Sequence, residues 1–393
     1  MALLKLIKNA RLYGEGELTD LLIGGKTLLA VGTRLELAGL DVEVNDVEGR
    51  SVIPGLVDQH VHLIGAPGDE GLTSQTPEIF VEHFVSAGVT TAVGCLGFGR
   101  VTDNLRALYV KALCLDEQGI TTYVYTGAFA VPSPTITGHI GEDIVIMQKV
   151  LGVKVAICDA YSSQPSVAEL ARIASEAYVA GLQAGKPGLV HLHVGHHGDP
   201  YRVLAEVQRV SGVPVAQFVP THCNWSRSLV SGAKEYALNG GFVDFSTVLD
   251  PARGSITSVR ASEAVMELVH GGVSLDRITL SCDGNVGMPL RLPDGTKIGL
   301  YLERVGSLWS ELRQLALGEL GLRQAVSLGT ENPARRLGLY PRKGSLLPGA
   351  DADIIVLNDD LTIHSTYAKG VLAYSKGRCF LKSQFPEEGC RRE

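Results

Sequence analysis

Seven cysteines are scattered through 393 residues with no Cys-x-x-Cys pair among them, and an odd, dispersed set does not make a disulfide framework. No block of Lys and Arg stands out against a formal net charge of -7, so the charge pattern suits neither a phosphate backbone nor an anionic membrane. No run reaches the roughly 18 apolar residues that span a bilayer. The first residues, Met1 to Leu6, carry no charged lead, long apolar run or cleavage site, so a signal peptide is not expected. The expected setting is the cytoplasm, without nucleic-acid or membrane partners. What is there is an ordinary globular composition, 45% hydrophobic and 20% charged, enough for one large domain and a small one.

From residue 4 to about 52 the chain reads as short strands. Leu4 to Leu12, Leu21 to Ile23 with a turn at Gly24-Gly25, Thr27 to Val31 and Ser51 to Ile53 are apolar or β-branched runs cut by glycines. After Pro54 strand-like runs alternate with helical patterns. The strands are Leu56 to Val61, Thr90 to Gly94, Thr122 to Thr126, Val153 to Ile157, Leu189 to His193, Gln217 to Thr221, Phe242 to Phe245 and Ile278 to Ser281. Helices are expected near Asp103 to Gln118, Glu142 to Leu151, Ser166 to Ala184, Ser228 to Asn239 and Ser258 to His270, with one more after Pro200.

Eight strand–helix units over about 280 residues fit a (β/α)8 TIM barrel. A doubly wound open sheet would be expected to carry a Gly-x-Gly-x-x-Gly after its first strand, and none is found. Strand texture returns from Gly344. The fold class is therefore α/β: a barrel over residues 54–343, flanked by a small β-sandwich built from 1–53 and 344–393.

The chemistry lies at strand ends. Asp58-Gln59-His60-Val61-His62 closes the first barrel strand, and residues two apart in a strand face the same way, so His60 and His62 can offer two imidazoles to one cation. Lys154 sits inside the apolar run Gly152 to Ile157. His193, His222 and Asp283 end three later strands, at the face where barrel enzymes work. A buried ammonium must find a partner, shift its pKa or be modified. A plain pairing of Lys154 with Asp159 or Asp283 is one reading. Carbamylation by carbon dioxide is the other; it makes an anionic ligand able to bridge two cations. Four histidines, an aspartate and a bridging lysine suit two zinc-like ions.

This ordered set, with the tail Gly344 to Leu357, resembles the amidohydrolase superfamily. The phrases Asp58 to Gly65, Thr76-Pro77-Glu78, Ala87 to Thr90, Pro132-Ser133, Thr135 to Gly138, Gly185 to Gly188 and Asp283-Gly284-Asn285 resemble isoaspartyl dipeptidases along nearly the whole chain. That resemblance implies two zinc ions, a carboxylated Lys154, a flanking β domain and a homo-oligomer. It implies that His60, His62 and Asp283 hold one ion, His193 and His222 the other, and Lys154 both. A metal-bridging hydroxide would then attack an amide carbonyl, with Asp283 as general base and then general acid.

The substrate side chains of that family do not carry over. Phe129 stands where the family has a tyrosine that polarises the scissile carbonyl. Tyr161 and Trp225 stand where it has arginines, Phe98 where it has threonine, and Gly287 where it has serine. Asp69, with Glu70 beside it, matches the loop acid that grips the substrate amine. Arginine contacts to carboxylate are not replaced by Tyr or Trp, at a cost of roughly 2–5 kcal/mol each on a charged dipeptide. The expectation is an apolar pocket for a small-molecule amide less charged than a β-aspartyl dipeptide. Arg227, Tyr125 or His139 would have to restore the lost contacts if the dipeptide is the substrate after all, and an inactive binding or assembly module on the same fold is the alternative of another class. His191 is read as a satisfied core histidine with a role behind the ligands as the alternative, and His196 and His197 as loop residues. Cys158, Cys223 and Cys282 are read as small hydrophobes, and His83, His270 and His364 as structural or exposed.

Overall fold

The structure is a computed structural model that describes residues 4–99, 101–102, 104–292 and 294–385. Asp103, expected to open a helix, and Cys390 lie outside the described residues.

The first five strands are β1 (Leu4–Leu12), β2 (Thr19–Gly24), β3 (Thr27–Gly32), β4 (Val42–Asp46) and β5 (Ser51–Pro54). β1 pairs with β2 and β4 along its first half and with β5 at its end, across a bulge between Ile7 and Ala10 where Asn9 has φ 58°. A bulge bends a strand, and here it carries β1 from one leaf to the other.

The barrel follows. β6 (Leu56–Val61), β7 (Val89–Gly94), β8 (Thr121–Gly127), β9 (Val150–Ile157), β10 (Leu189–Val194) and β11 (Phe218–Thr221) form one parallel ladder, and β12 (Val243–Ser246) with β13 (Ile278–Ser281) a second. Cys223 N–H donates to the Asp244 carbonyl (3.2 Å) and His62 N–H to the Gly284 carbonyl (3.0 Å), which close the ring at its two seams. Helices α1 (Val81–Ser86), α2 (Leu105–Glu117), α3 (Ile140–Ile146), α4 (Val167–Ala184), α5 (Pro200–Ser211), α6 (Arg227–Leu238), α7 (Ala261–His270) and α8 (Gly306–Leu317) alternate with these strands. The eight-stranded barrel expected from the sequence is observed.

Local signals set the helix ends. Ser166 caps α4 through Glu169 N–H while the Glu169 carboxylate returns to Ser166 N–H, and Gly185 closes the helix at φ 61°. The helix expected over Glu142 to Leu151 instead stops at Ile146. Val150 and Gly152 belong to β9, where they pair with Val124 and Tyr125 of β8, so ladder pairing outweighs the helical pattern there.

Between β13 and α8 a hairpin intervenes, β14 (Val286–Arg291) with β15 (Lys297–Glu303), which the sequence reading passed over. Two short helices, α9 (Gly321–Ser327) and α10 (Glu331–Arg336), lead to β16 (Ile354–Leu357), β17 (Ile363–Ala368), β18 (Val371–Ser375) and β19 (Arg378–Cys379). β16 pairs with β5, so the two ends of the chain share one nine-stranded sheet. Its leaves meet in a core of Ile7, Leu21, Ile23 and Leu28 against Val52, Ile354, Val356 and Tyr367. This is the sandwich, one continuous sheet folded on itself at β1.

A buried lysine ties sandwich to barrel. Lys343 donates to Thr121 Oγ1 at the start of β8 (2.7 Å) and to Asp353 Oδ2 (2.6 Å), and pairs with Asp351 (2.8 Å).

Candidate active site

A buried polar network gathers around Asp244 in the barrel interior. Asp244 accepts from Gln59 and Thr279 at one oxygen (both 2.7 Å) and from Thr221 (2.7 Å) and Ser281 (2.5 Å) at the other. Four strands are thereby tied together through one carboxylate, all of whose contacts are made inside the barrel. Gln59 belongs to this network, so its neighbours His60 and His62 are held at the upper rim of β6.

Above that layer the six sequence-predicted ligands come together. Lys154 Nζ lies 3.0 Å from His60 Nε2. Asp283 Oδ1 lies 3.2 Å from His60 Nε2 and 3.3 Å from His62 Nε2, and its Oδ2 lies 3.8 Å from His222 Nδ1. The rings of His193 and His222 are 4.6 Å apart. His222 and Asp283 both have positive φ, 65° and 52°, a left-handed conformation costing about 1–3 kcal/mol for such residues and concentrated at functional sites. Gly127, at the end of β8 with φ 81°, lets that strand pass against the Lys154 carbonyl where a Cβ would collide.

Ring nitrogens are sorted by their neighbours. Asp159 Oδ2 holds His193 Nε2 (2.9 Å), Ser246 Oγ holds His222 Nδ1 (2.6 Å), and His191 Nε2 holds His60 Nδ1 (3.0 Å). Each leaves the other nitrogen of the ring for the centre. Asp159 thus engages His193 and not Lys154. His191 does more than fill the core: it contacts His60 directly, and it stacks on Tyr125 at 4.7 Å and 7°.

The donor set fits divalent cations. His193 Nδ1, the ring nitrogen that Asp159 leaves over, is buried with no hydrogen-bond partner, and such an atom in a site of converging donors calls for a ligand. Burial, then the charge of Lys154 and the neighbouring imidazoles, lowers His60 well below the ordinary imidazole range. Burial likewise lowers His222 and, against the pull of Asp159, His193. Burial lowers Lys154, opposed by Cys95, Asp283 and Asp244. Burial would raise Asp283, but His222, His62 and Lys154 together hold it well below the usual carboxylate range. Neutral imidazoles and an ionised carboxylate are the forms that bind metal.

Over this floor opens a cavity of about 560 Å³. Asp69, Phe98, Phe129, Tyr161, Trp225 and Gly287, the expected substrate-side positions, are among the residues that line it. Glu70 does not: its carboxylate pairs with Lys297 of the hairpin, which ties the 66–75 loop to β15. Phe98 stacks on Tyr161 at 4.6 Å and 17°, Phe129 lies 4.3 Å from the His193 ring, and Trp225 meets His193 edge-on at 5.4 Å. The Tyr161 hydroxyl donates to Asp69 Oδ2 at 3.4 Å.

The hairpin and the 254–257 loop supply the rest of the wall, including Ile256, Met288, Pro289 and Arg291. Sequence reasoning missed these. The turn residues Asp294-Gly295 between two alternating runs were a usable hairpin signal. Arg291 adds a guanidinium to a wall that is otherwise largely apolar and aromatic. Arg227 pairs with Glu267 on the surface, Tyr125 lies buried beneath His191 and His139 is exposed, and none of the three lines the cavity. His196 and His197 are exposed and stacked on each other, and His270 pairs with Glu319 on the surface.

Comparisons with known proteins agree with this geometry. The profile of the amidohydrolase family matches residues 190–373. A crystal structure of a beta-aspartyl dipeptidase from Fervidobacterium islandicum AW-1, in complex with beta-Asp-Leu dipeptide, superposes with a TM-score of 0.86 at 33% identity, over 98% of this chain and 100% of that one. A dihydroorotase from Pelotomaculum thermopropionicum is 27% identical over 89% of this chain and 86% of its own. A dihydropyrimidinase from Brevibacillus agri NCHU1002 shares the fold, with a TM-score of 0.68 at 16% identity over 96% of each chain.

Proposed function

The chain belongs to the amidohydrolase family, with beta-aspartyl dipeptidases among its relatives, and from that premise we propose that it is a binuclear metal-dependent enzyme for an amide less charged than a β-aspartyl dipeptide. Hydrolysis of C–N amide bonds follows from the family. The observation that carries the finer reading is the aromatic wall of Phe98, Phe129, Tyr161 and Trp225 standing directly over the converged ligand set.

In this reading His60, His62 and Asp283 would hold one cation, His193 and His222 the other, and carboxylated Lys154 would serve both, with zinc as the expected ion. When bound, the two cations would make a water molecule acidic and polarise the substrate carbonyl. The depressed basicity of Lys154 favours the neutral amine, which adds to carbon dioxide, forming an N–C bond and releasing one proton. Asp283, ionised and partly open to the cavity, takes the proton of the attacking water and passes it to the departing amine. Asp69 receives a substrate amine, and the Phe98–Tyr161 stack covers a flat or apolar group.

The test is kcat/KM for a panel of neutral N-acyl amides against β-Asp-Leu. Preference for the dipeptide by more than about a hundredfold would overturn the less charged substrate. One observation favours that second reading, a genuine beta-aspartyl dipeptidase: Arg291 lines the cavity and offers a carboxylate partner in place of the arginines lost at Tyr161 and Trp225. Among the described residues no helix is long and apolar enough to cross a membrane. The six described cysteines form no disulfide with one another, which supports a cytoplasmic setting, and the resemblance supports a homo-oligomer, which sedimentation of the purified protein would test.

A further inference from the structure

We infer that Cys95 is an additional ligand of the metal centre, a thiolate donor to the cation held by His60 and His62. Cys95 directly follows β7, and its N–H donates to the carbonyl of Val61, the residue between the two histidines (3.0 Å). A Cβ on the preceding Gly94 would press against Leu63 and Leu108 on the helix side of the sheet. Successive strand residues alternate faces, so Cys95 turns the other way, into the barrel. There it is fully buried beside Val57, Val93 and Tyr125.

The ligand atoms of His60, His62 and Cys95 all lie within 4.8 Å of one another, close enough for small side-chain rotations to bring them to the nitrogen bonds of about 2.0–2.1 Å and the sulfur bond of about 2.3 Å around one ion. A second observation points the same way: both histidines are buried, and their Nε2 atoms lie 3.2 and 3.3 Å from the same Asp283 oxygen, so the two imidazoles turn to a common point. Among the described residues it is the one cysteine that joins a cluster able to hold a metal. Binding would release the thiol proton to solvent as the S–metal bond forms. A sulfur donor biases the centre toward zinc or cobalt and away from magnesium or manganese.

The inference rests on the metal-dependent reading above, and the test separates the two. Full-length protein stripped and reloaded with Co(II) should show a near-ultraviolet sulfur-to-cobalt charge-transfer band. Cys95→Ala and Cys95→Ser should lose that band and hold one of the two ions about 10-fold or more weakly in chelator competition. Two bound cobalt ions without the band, or a band that survives in Cys95→Ala, would overturn the thiolate and leave the binuclear centre standing. Failure of the wild-type protein to bind cobalt or zinc at all would overturn both. Should the variants not fold, X-ray absorption of the wild-type zinc protein decides: a sulfur shell near about 2.3 Å supports Cys95 and a purely N/O shell refutes it.

Discussion

His191 and His60 share a hydrogen bond, Nε2 to Nδ1 at 3.0 Å, and this leaves Nε2 as the His60 nitrogen that faces Lys154 and Asp283. Replacing His191 with Phe keeps the stack on Tyr125 and removes only the orienting contact. His191→Phe is expected to weaken metal retention about 10- to 100-fold, the usual effect of losing such a partner, with little change in thermal unfolding of the metal-free protein. Chelator competition followed by elemental analysis measures it; unchanged retention would make His191 a packing residue.

Asp283 is held ionised and is partly open to the cavity, the two features that the proposed proton transfer requires. Asp283→Asn should lower kcat by about 10²–10⁴ while metal content at saturating zinc stays near two per chain. Unchanged turnover would remove Asp283 from the reaction.

The pocket departures can be reversed. Tyr161→Arg with Trp225→Arg restores two groups able to grip carboxylates. The double variant should gain about 10-fold or more in kcat/KM on β-Asp-Leu, equivalent to at least about 1.4 kcal/mol, and lose activity on neutral amides. A fall on both substrates would mean that the aromatics serve packing around His193 and not specificity.

Lys343 is 1% exposed and holds Asp353 and Asp351 at the junction of barrel and sandwich. Removing one partner of a buried charge cluster strands the others, so Lys343→Met should cost about 3–5 kcal/mol of unfolding free energy. Burial lowers the Lys343 amine, but Asp353 and Asp351 outweigh it and raise it above its ordinary 10.5. A base raised on folding contributes its full stability below the unfolded pKa and loses it as pH rises through the folded one. The gap between wild type and Lys343→Met in denaturant titrations should therefore be constant up to about pH 9 and narrow above 10.5.

Much of this molecule is written locally. The eight barrel strands are apolar runs separated by capped helices, and Ser166 with Glu169 or Gly185 mark boundaries that need no distant contact. His60, His62, Lys154, His193, His222 and Asp283 were legible because each interrupts or ends an apolar strand, where a polar side chain requires a reason. The aromatics Phe98, Phe129, Tyr161 and Trp225 were legible only against a family pattern, since nothing in their own neighbourhoods marks them as pocket residues.

The tertiary structure alone decided what is shared between distant segments. Glu70 reads like Asp69 in sequence, yet Lys297 of the hairpin takes its charge and removes it from the cavity wall. Arg291 enters that wall because the hairpin folds back over the barrel mouth. Asp159 follows Lys154 by five residues but serves His193, because the parallel pairing of β9 with β10 brings the two strand ends together. Cys95 looks like any small buried residue until the carbonyl of Val61 fixes it beside both histidines. Sequence determines which residues a strand must bury and where helices stop, because those are short-range costs; which polar groups meet is set by closure of the barrel, which no single segment encodes.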